Sequence, residues 1–131
     1  MSLPSYTDIE IVGEVAAGRP ASNEEIEPGC IRVDLSSIEI SPTARTFALR
    51  VRGDSMTGAH ILDGDTIVFE QKNPHDGAIV VAMVDGEFTL KRYVEGKGRP
   101  FLKAENPKYA NIIPARELVV PGVGLAVFRR L

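Results

Sequence analysis

The residues with the best prospects for chemistry are Ser55 and Lys91. Ser55 lies in Gly53-Asp54-Ser55-Met56, inside the stretch Arg50 to Glu70, where one strand breaks at Gly53 and another starts after Asp63-Gly64-Asp65. A serine at a glycine-bounded strand end suits a nucleophile, because the backbone is fixed there while the hydroxyl stays reachable. The same residue also suits a turn in which the hydroxyl bonds its own loop, and nothing within the stretch separates the two. Lys91 follows Asp85-Gly86, the strongest hairpin signal in the chain. With a two-residue loop, Val84 faces Glu87, Ala82 faces Thr89, Val81 faces Leu90 and Val80 faces Lys91. Lys91 then shares a face with Val80, Ala82 and Thr89, across from a strand that is apolar on both sides. Desolvation in such a place disfavours the ammonium form, and a lysine with a lowered pKa can act as a general base. The alternative is a stem long enough to carry the charge to the sheet edge.

The elements that must hold these two residues are strands. Ile9 to Val15, Cys30 to Leu35, Thr46 to Val51 and Thr66 to Glu70 carry strand patterns, with Phe47, Leu49 and Val51 on one face by period two. Ala78 to Val84 is apolar on both faces and is expected to be central. Phe88 to Val94, Arg99 to Ala104, Leu118 to Val120 and Gly122 to Phe128 complete a set of eight or nine short strands. Helical periodicity is confined to single turns near Ser36 and Pro114. The expectation is a mainly-β single domain over residues 9–131, with residues 1–8 a loose arm. Met1-Ser2-Leu3 is compatible with an expression scar, and Ala21 to Gly29 reads as an exposed acidic loop.

With 131 residues the chain suits one domain with one core. Apolar residues make up 44% and charged residues 25%, as in an ordinary globular protein, and the net charge of −3 argues against a dedicated nucleic-acid surface. No apolar run reaches the about 18 residues needed to cross a bilayer, and no signal peptide opens the chain. Cys30 is the single cysteine, which excludes an internal disulfide and a thiolate metal cluster and fits a reducing, cytoplasmic setting. No metal or cofactor is expected: His60 and His75 lie in polar turns without companion ligands. Asp63 and Asp65 read as turn chemistry, Arg129-Arg130 as a basic end that is solvated or at an interface, and Tyr109 as packing.

Three separated pieces, Val15-Ala16-Ala17-Gly18, Gly53-Asp54-Ser55-Met56 and Thr89-Leu90-Lys91-Arg92, match in order and content a known arrangement. They resemble the self-cleaving domain of LexA-type repressors and UmuD mutagenesis proteins, family S24 of the Ser/Lys peptidases. The likeness runs from Ile9 to Arg129 and takes in Leu62-Asp63-Gly64-Asp65, Val84-Asp85-Gly86-Glu87-Phe88-Thr89 and Ala104-Glu105-Asn106-Pro107. It implies a LexA/signal-peptidase-like domain of several short, coiled antiparallel sheets. It also implies Ser55 as nucleophile, Lys91 as general base and Ala17-Gly18 as the bond cut, within a cleavable segment over residues 9–29. Main-chain N–H groups of Ser55 and Met56 are the natural oxyanion donors. Small residues at Ala16, Ala17 and Gly18 let an extended segment approach a crowded site, with Val15 filling a small apolar pocket.

The resemblance further implies a homodimer and a cleavable segment held away, with Lys91 charged, until an activated RecA filament on single-stranded DNA favours docking. Full repressors of this family bind DNA through an N-terminal helix-turn-helix domain, which nothing in this chain can form. VAAG at the cut is LexA-like, whereas Gly53-Asp54-Ser55-Met56 and Asp85-Gly86-Glu87-Phe88-Thr89 are closer to UmuD. The favoured reading is the C-terminal domain of an SOS-response repressor. The alternatives are a UmuD-like polymerase accessory protein and a dimerisation module that does not cleave. A signal peptidase shares the dyad but needs a membrane anchor.

Overall fold

The computed structural model describes residues 6–17, 29–41 and 44–131. Eight strands form one sheet: β1 (Tyr6–Ala17), β2 (Cys30–Asp34), β3 (Thr46–Gly53), β4 (Thr66–Glu70), β5 (Ile79–Val84), β6 (Glu87–Val94), β7 (Phe101–Lys103) and β8 (Val119–Phe128). Their order is β2-β1-β3-β4-β8-β5-β6-β7, with a further contact between β1 and β6 that folds the sheet back on itself. Two 3-10 turns interrupt the strands, Leu35–Ile38 and Thr57–Ala59. The first contains Ser36, as expected; the second replaces the turn expected near Pro114. Among the described residues no helix is long and apolar enough to cross a membrane.

The β5–β6 hairpin follows its turn chemistry. Asp85 and Gly86 both have positive φ, 50° and 81°, the mirror-image turn whose twist matches the flanking strands. The register is the one obtained by counting outward, from Val84 opposite Glu87 to Val80 opposite Lys91. β5 is covered on both faces. Val81 joins a core cluster with Val15, Ala17, Val51, Met56, Ile61, Ile67, Phe69 and Leu90, while Val80 and Ala82 pack with Tyr93, Leu102 and Val123. Phe47, Leu49 and Val51 line the first cluster from β3, as period two requires, and Phe47 stacks on its cross-strand partner Phe69 with ring centroids 5.3 Å apart.

Three features depart from expectation. β1 begins at Tyr6, inside the segment read as a loose arm, because Tyr6 to Glu10 pair antiparallel with β2. It also runs on to Ala17, and from Gly13 to Ala17 it pairs parallel with β3, so the ladders are not antiparallel throughout. The two segments expected at Leu118–Val120 and Gly122–Phe128 are one strand, β8, which bonds both β4 and β5 through local register shifts. Such irregularities bend a strand enough to serve two neighbours.

Candidate active site

Ser55 sits immediately beyond β3, where Gly53 turns the chain with φ of 110°. The turn is tied from several directions. The Asp63 carboxylate accepts from the Gly53 N–H at 2.8 Å, and the Glu105 N–H donates to the Ser55 carbonyl at 2.8 Å. Asn106 Nδ2 donates to the Asp54 carbonyl at 2.8 Å. The Asp54 side chain accepts from the Tyr109 hydroxyl and from Lys108 Nζ, and these donors, Tyr109 foremost, hold its carboxyl below the usual range. Tyr109 is therefore a hydrogen-bonding residue and not only packing. Its link to Asp54 spans a large part of the chain, and no local pattern announces it.

Lys91 is 4% exposed, and Ser55 is fully buried. Lys91 Nζ lies 3.1 Å from Ser55 Oγ, 2.9 Å from Thr89 Oγ1 and 3.1 Å from the Leu90 carbonyl. Those contacts match the three N–H groups of an ammonium, or two N–H groups and one lone pair of a neutral amine. Burial lowers the Lys91 pKa from 10.5 to about 8, and it is the sole cause of the shift. The amine therefore does not snorkel to the sheet edge. Thr89 enters as a residue to which the sequence reading assigns no role, although period two already places it on the Lys91 face.

The third piece meets the other two. β1 runs parallel beside β3, with Val15 opposite Val51, Ala16 opposite Arg52 and Ala17 opposite Gly53. Ala16 also pairs with Thr89 on β6, and its carbonyl lies 3.4 Å from Thr89 Oγ1. The Ala17 carbonyl accepts a 3.2 Å hydrogen bond from the Ser55 N–H. Of the two expected oxyanion donors, only Ser55 makes this bond; Met56 is buried beside it and contributes its side chain to the core. Val15 and Ala17 are fully buried in the same cluster. Gly18 lies outside the described residues. The segment up to Ala17 is thus on the site, in contrast to the held-away position that the resemblance implied. Gly53 makes this approach sterically feasible, since a Cβ there would stand 1.9 Å from the Ala17 oxygen and 2.7 Å from its carbonyl carbon.

The other singled-out residues are structural. Asp65, 1% exposed, accepts from Arg129 through both carboxylate oxygens at 2.7 Å and from the Leu62 N–H at 2.7 Å. Arg129 holds its carboxyl below the usual range. Arg129 is therefore neither a merely solvated end nor a free interface group; it ties the end of β8 to the turn before β4. Arg130 is exposed. His60 is a left-handed residue closing the second 3-10 turn.

Such a constellation sets a hydroxyl, a desolvated amine and a backbone donor around one peptide carbonyl, which is the equipment of acyl transfer. Comparisons with known proteins point the same way. The chain is 52% identical over 122 residues to the LexA repressor of Verrucomicrobium spinosum, covering 93% of this chain and 60% of that protein. It is 40% identical over 126 residues to the LexA repressor of Opitutus terrae, covering 95% and 63%. To that of Mycolicibacterium smegmatis it is 37% identical over 131 residues, covering 99% and 52%. The chain thus spans between about half and two-thirds of the length of these relatives. The Peptidase S24-like family model matches residues 10–124, and over that length the chain belongs to the Peptidase S24-like family.

Proposed function

We propose that this chain is the latent serine/lysine autoprotease and dimerisation domain of an SOS-response transcriptional repressor, and that it cuts its own Ala17–Gly18 bond. The observation that carries the reading is the convergence on one carbonyl: Lys91 Nζ 3.1 Å from Ser55 Oγ, and the Ser55 N–H 3.2 Å from the Ala17 oxygen. In the neutral form, the Lys91 lone pair accepts the Ser55 proton while Thr89 Oγ1 and the Leu90 carbonyl hold its two N–H groups in place. Ser55 Oγ attacks the Ala17 carbonyl carbon, and the Ser55 N–H stabilises the oxygen as it gains charge. The Lys91 ammonium then protonates the leaving nitrogen of Gly18, which frees the amine and leaves Ala17 as an ester on Ser55. Lys91 next takes a proton from water as the hydroxide adds to the ester carbonyl; collapse releases the Ala17 carboxylate, and the Lys91 ammonium returns its proton to Ser55 Oγ.

In the whole repressor this domain would dimerise and the N-terminal remainder would bind DNA, within the cytoplasm. An activated RecA filament would act as co-protease by favouring the docked segment and the neutral amine, a population shift that needs only differential binding. The likeness to repressors named LexA supports this over a polymerase accessory role.

The test is incubation of the purified chain between pH 6 and pH 10, with mass spectrometry of the products. Fragments ending at Ala17 and starting at Gly18 are expected, with the rate rising to half its plateau near the Lys91 value of about 8. Ser55→Ala and Lys91→Ala should each abolish them. An intact mass after prolonged alkaline incubation would leave a dimerisation module that does not cleave.

A further inference from the structure

Between Ile11 and Gly13 the pairing of β1 with β3 shifts register, and from there to the site it runs without interruption. Within that run, residues alternate between two environments. Val15 and Ala17 enter the core and are fully buried, so they can be read only as small apolar shapes. Glu14 and Ala16 take the other face. Directly opposite residues in a ladder share a face, so Arg50 and Arg52, the partners of Glu14 and Ala16, lie on it too.

Glu14 is the unusual member of that face. Its side chain is only 4% exposed, and Arg52 grips it with Nε 2.7 Å from one carboxylate oxygen and a second guanidinium nitrogen 3.4 Å from the other. Arg50 Nε is buried on the same face with no hydrogen-bond partner. Arg52 therefore meets a carboxylate that is itself almost fully withdrawn from water, on a face that also carries Arg50. A neutral residue at position 14 would forfeit the charged pair with Arg52, and a basic one would set like charges against each other on a strand face already carrying Arg50 and Arg52. The geometry is bidentate, which reads a carboxylate by shape as well as by charge.

We propose that Arg52 is the specificity-determining residue of this site, selecting an acidic side chain three residues before Ala17, the last residue ahead of the bond to be cut. The inference rests on the self-cleavage reading for its consequence, although the docking it describes is separately measurable. The segment recognised is an extended stretch in the order acidic residue, Val, Ala, Ala. The acidic residue sets the register: one step of slippage along β3 would move Glu14 to the core face and Val15 to the arginine face. Ala17 would then no longer face Gly53.

The test uses four full-length chains: wild type, Glu14→Arg, Arg52→Glu and the double exchange, with Glu14→Gln as a milder probe. Self-cleavage should slow about tenfold or more in each single exchange, because an unpaired desolvated charge is left on the docked strand. It should return to within about threefold of wild type in the double exchange, since only the sign of the pair changes. A merely structural loss would not be repaired by reversal of both charges. Glu14→Gln should fall between. All variants should keep the wild-type midpoint of the pH–rate curve, because Arg52 acts on docking and not on the Lys91 proton. Single exchanges as fast as wild type, or a double exchange no faster than the singles, would overturn the proposal.

A second readout separates this inference from the protease reading. In a Ser55→Ala background, amide exchange of Val15, Ala16 and Ala17 reports docking without any cut. Protection lost in the single exchanges and regained in the double exchange supports Arg52 selection even if the wild-type chain never cleaves. Protection that is equal in all four chains overturns it even if the wild-type chain does.

Discussion

The two halves of β1 belong to one strand and live under different rules. From Tyr6 to Glu10 it pairs antiparallel with β2. The charge pair there, Asp8 with Arg32 at 2.8 Å, is exposed at both ends, 50% and 71%. From Gly13 to Ala17 it pairs parallel with β3, and the charge pair there has a carboxylate only 4% exposed. The contact distances of the two pairs are nearly the same. Water screens the first from both sides and the second only from the arginine side, so equal geometry has unequal consequences. The first half fastens β1 to the domain by backbone bonds and by Ile9, buried in a core cluster with Val33, while Tyr6, Asp8 and Glu10 face solvent. The second half presents the Ala17 carbonyl to Ser55, where backbone, charge and volume are all specified.

The sharpest way to break this contrast is Gly53→Ala. Its methyl group would occupy the space of the Ala17 carbonyl, and φ of 110° disfavours any side chain. Because the obstacle is backbone, it cannot swing aside. Self-cleavage should fall by more than about a hundredfold, while the β1–β2 pairing, followed by amide exchange at Thr7 and Ile9, stays protected. Cleavage at the wild-type rate would refute the docked geometry.

Lys91→Met addresses the cost of the functional half. The Lys91 pKa is about 8 in the fold against 10.5 for an ordinary lysine, so the unfolded chain holds more protons between those values. Stability conferred by the fold therefore rises as pH climbs from 8 to 10.5, and the full desolvation penalty applies below 8. Methionine carries no such penalty. Its stability advantage over wild type should shrink by about 3 kcal/mol between pH 7 and pH 11, read from denaturant midpoints at each pH. A constant difference would mean that the lysine is not desolvated.

Tyr109→Phe probes the support behind Ser55, the proposed nucleophile. Loss of the hydroxyl frees one side of Asp54, loosens the turn and should slow cleavage about three- to tenfold, as followed by fragment mass. The Lys91-dependent midpoint should stay where it was. Unchanged kinetics would make Asn106 and Glu105 the effective anchors. The smallest effect is expected of Asp8→Asn, in the other half of β1. Its melting temperature should stay within about 1 °C of wild type, and its cleavage rate should not change, since exposed pairs contribute little. A marked loss of either would erase the distinction between the two halves.

Legibility from residues alone divides along the same line, between local and distant contacts. The hairpin register that puts Lys91 beside Val80 comes from counting around Asp85-Gly86, because a two-residue turn leaves no freedom of alignment. The face of β3 and the double coverage of β5 come from period-two patterning. The parallel docking of β1 is not legible, since alternation within a strand says nothing of its neighbour's direction. Nor are the bonds from Tyr109 to Asp54 and from Arg129 to Asp65, whose partners are 55 and 64 residues apart. Arg52 and Glu14 carry no motif at all; they become informative only when the ladder sets them on one face.

The position of β1 also governs the aftermath of a cut. Severing the chain after Ala17 changes its connectivity but removes no neighbour of β1, which would still be laced to β2 and β3, both on the other fragment. The new terminal carboxylate would rest where the Ala17 carbonyl had been, against the Ser55 N–H. The product would then be its own inhibitor, held in the cleft by strand pairing, by the burial of Val15 and Ala17 and by the Glu14–Arg52 pair. An enzyme arranged in this way would act once, and its output would be a broken tether rather than a released peptide.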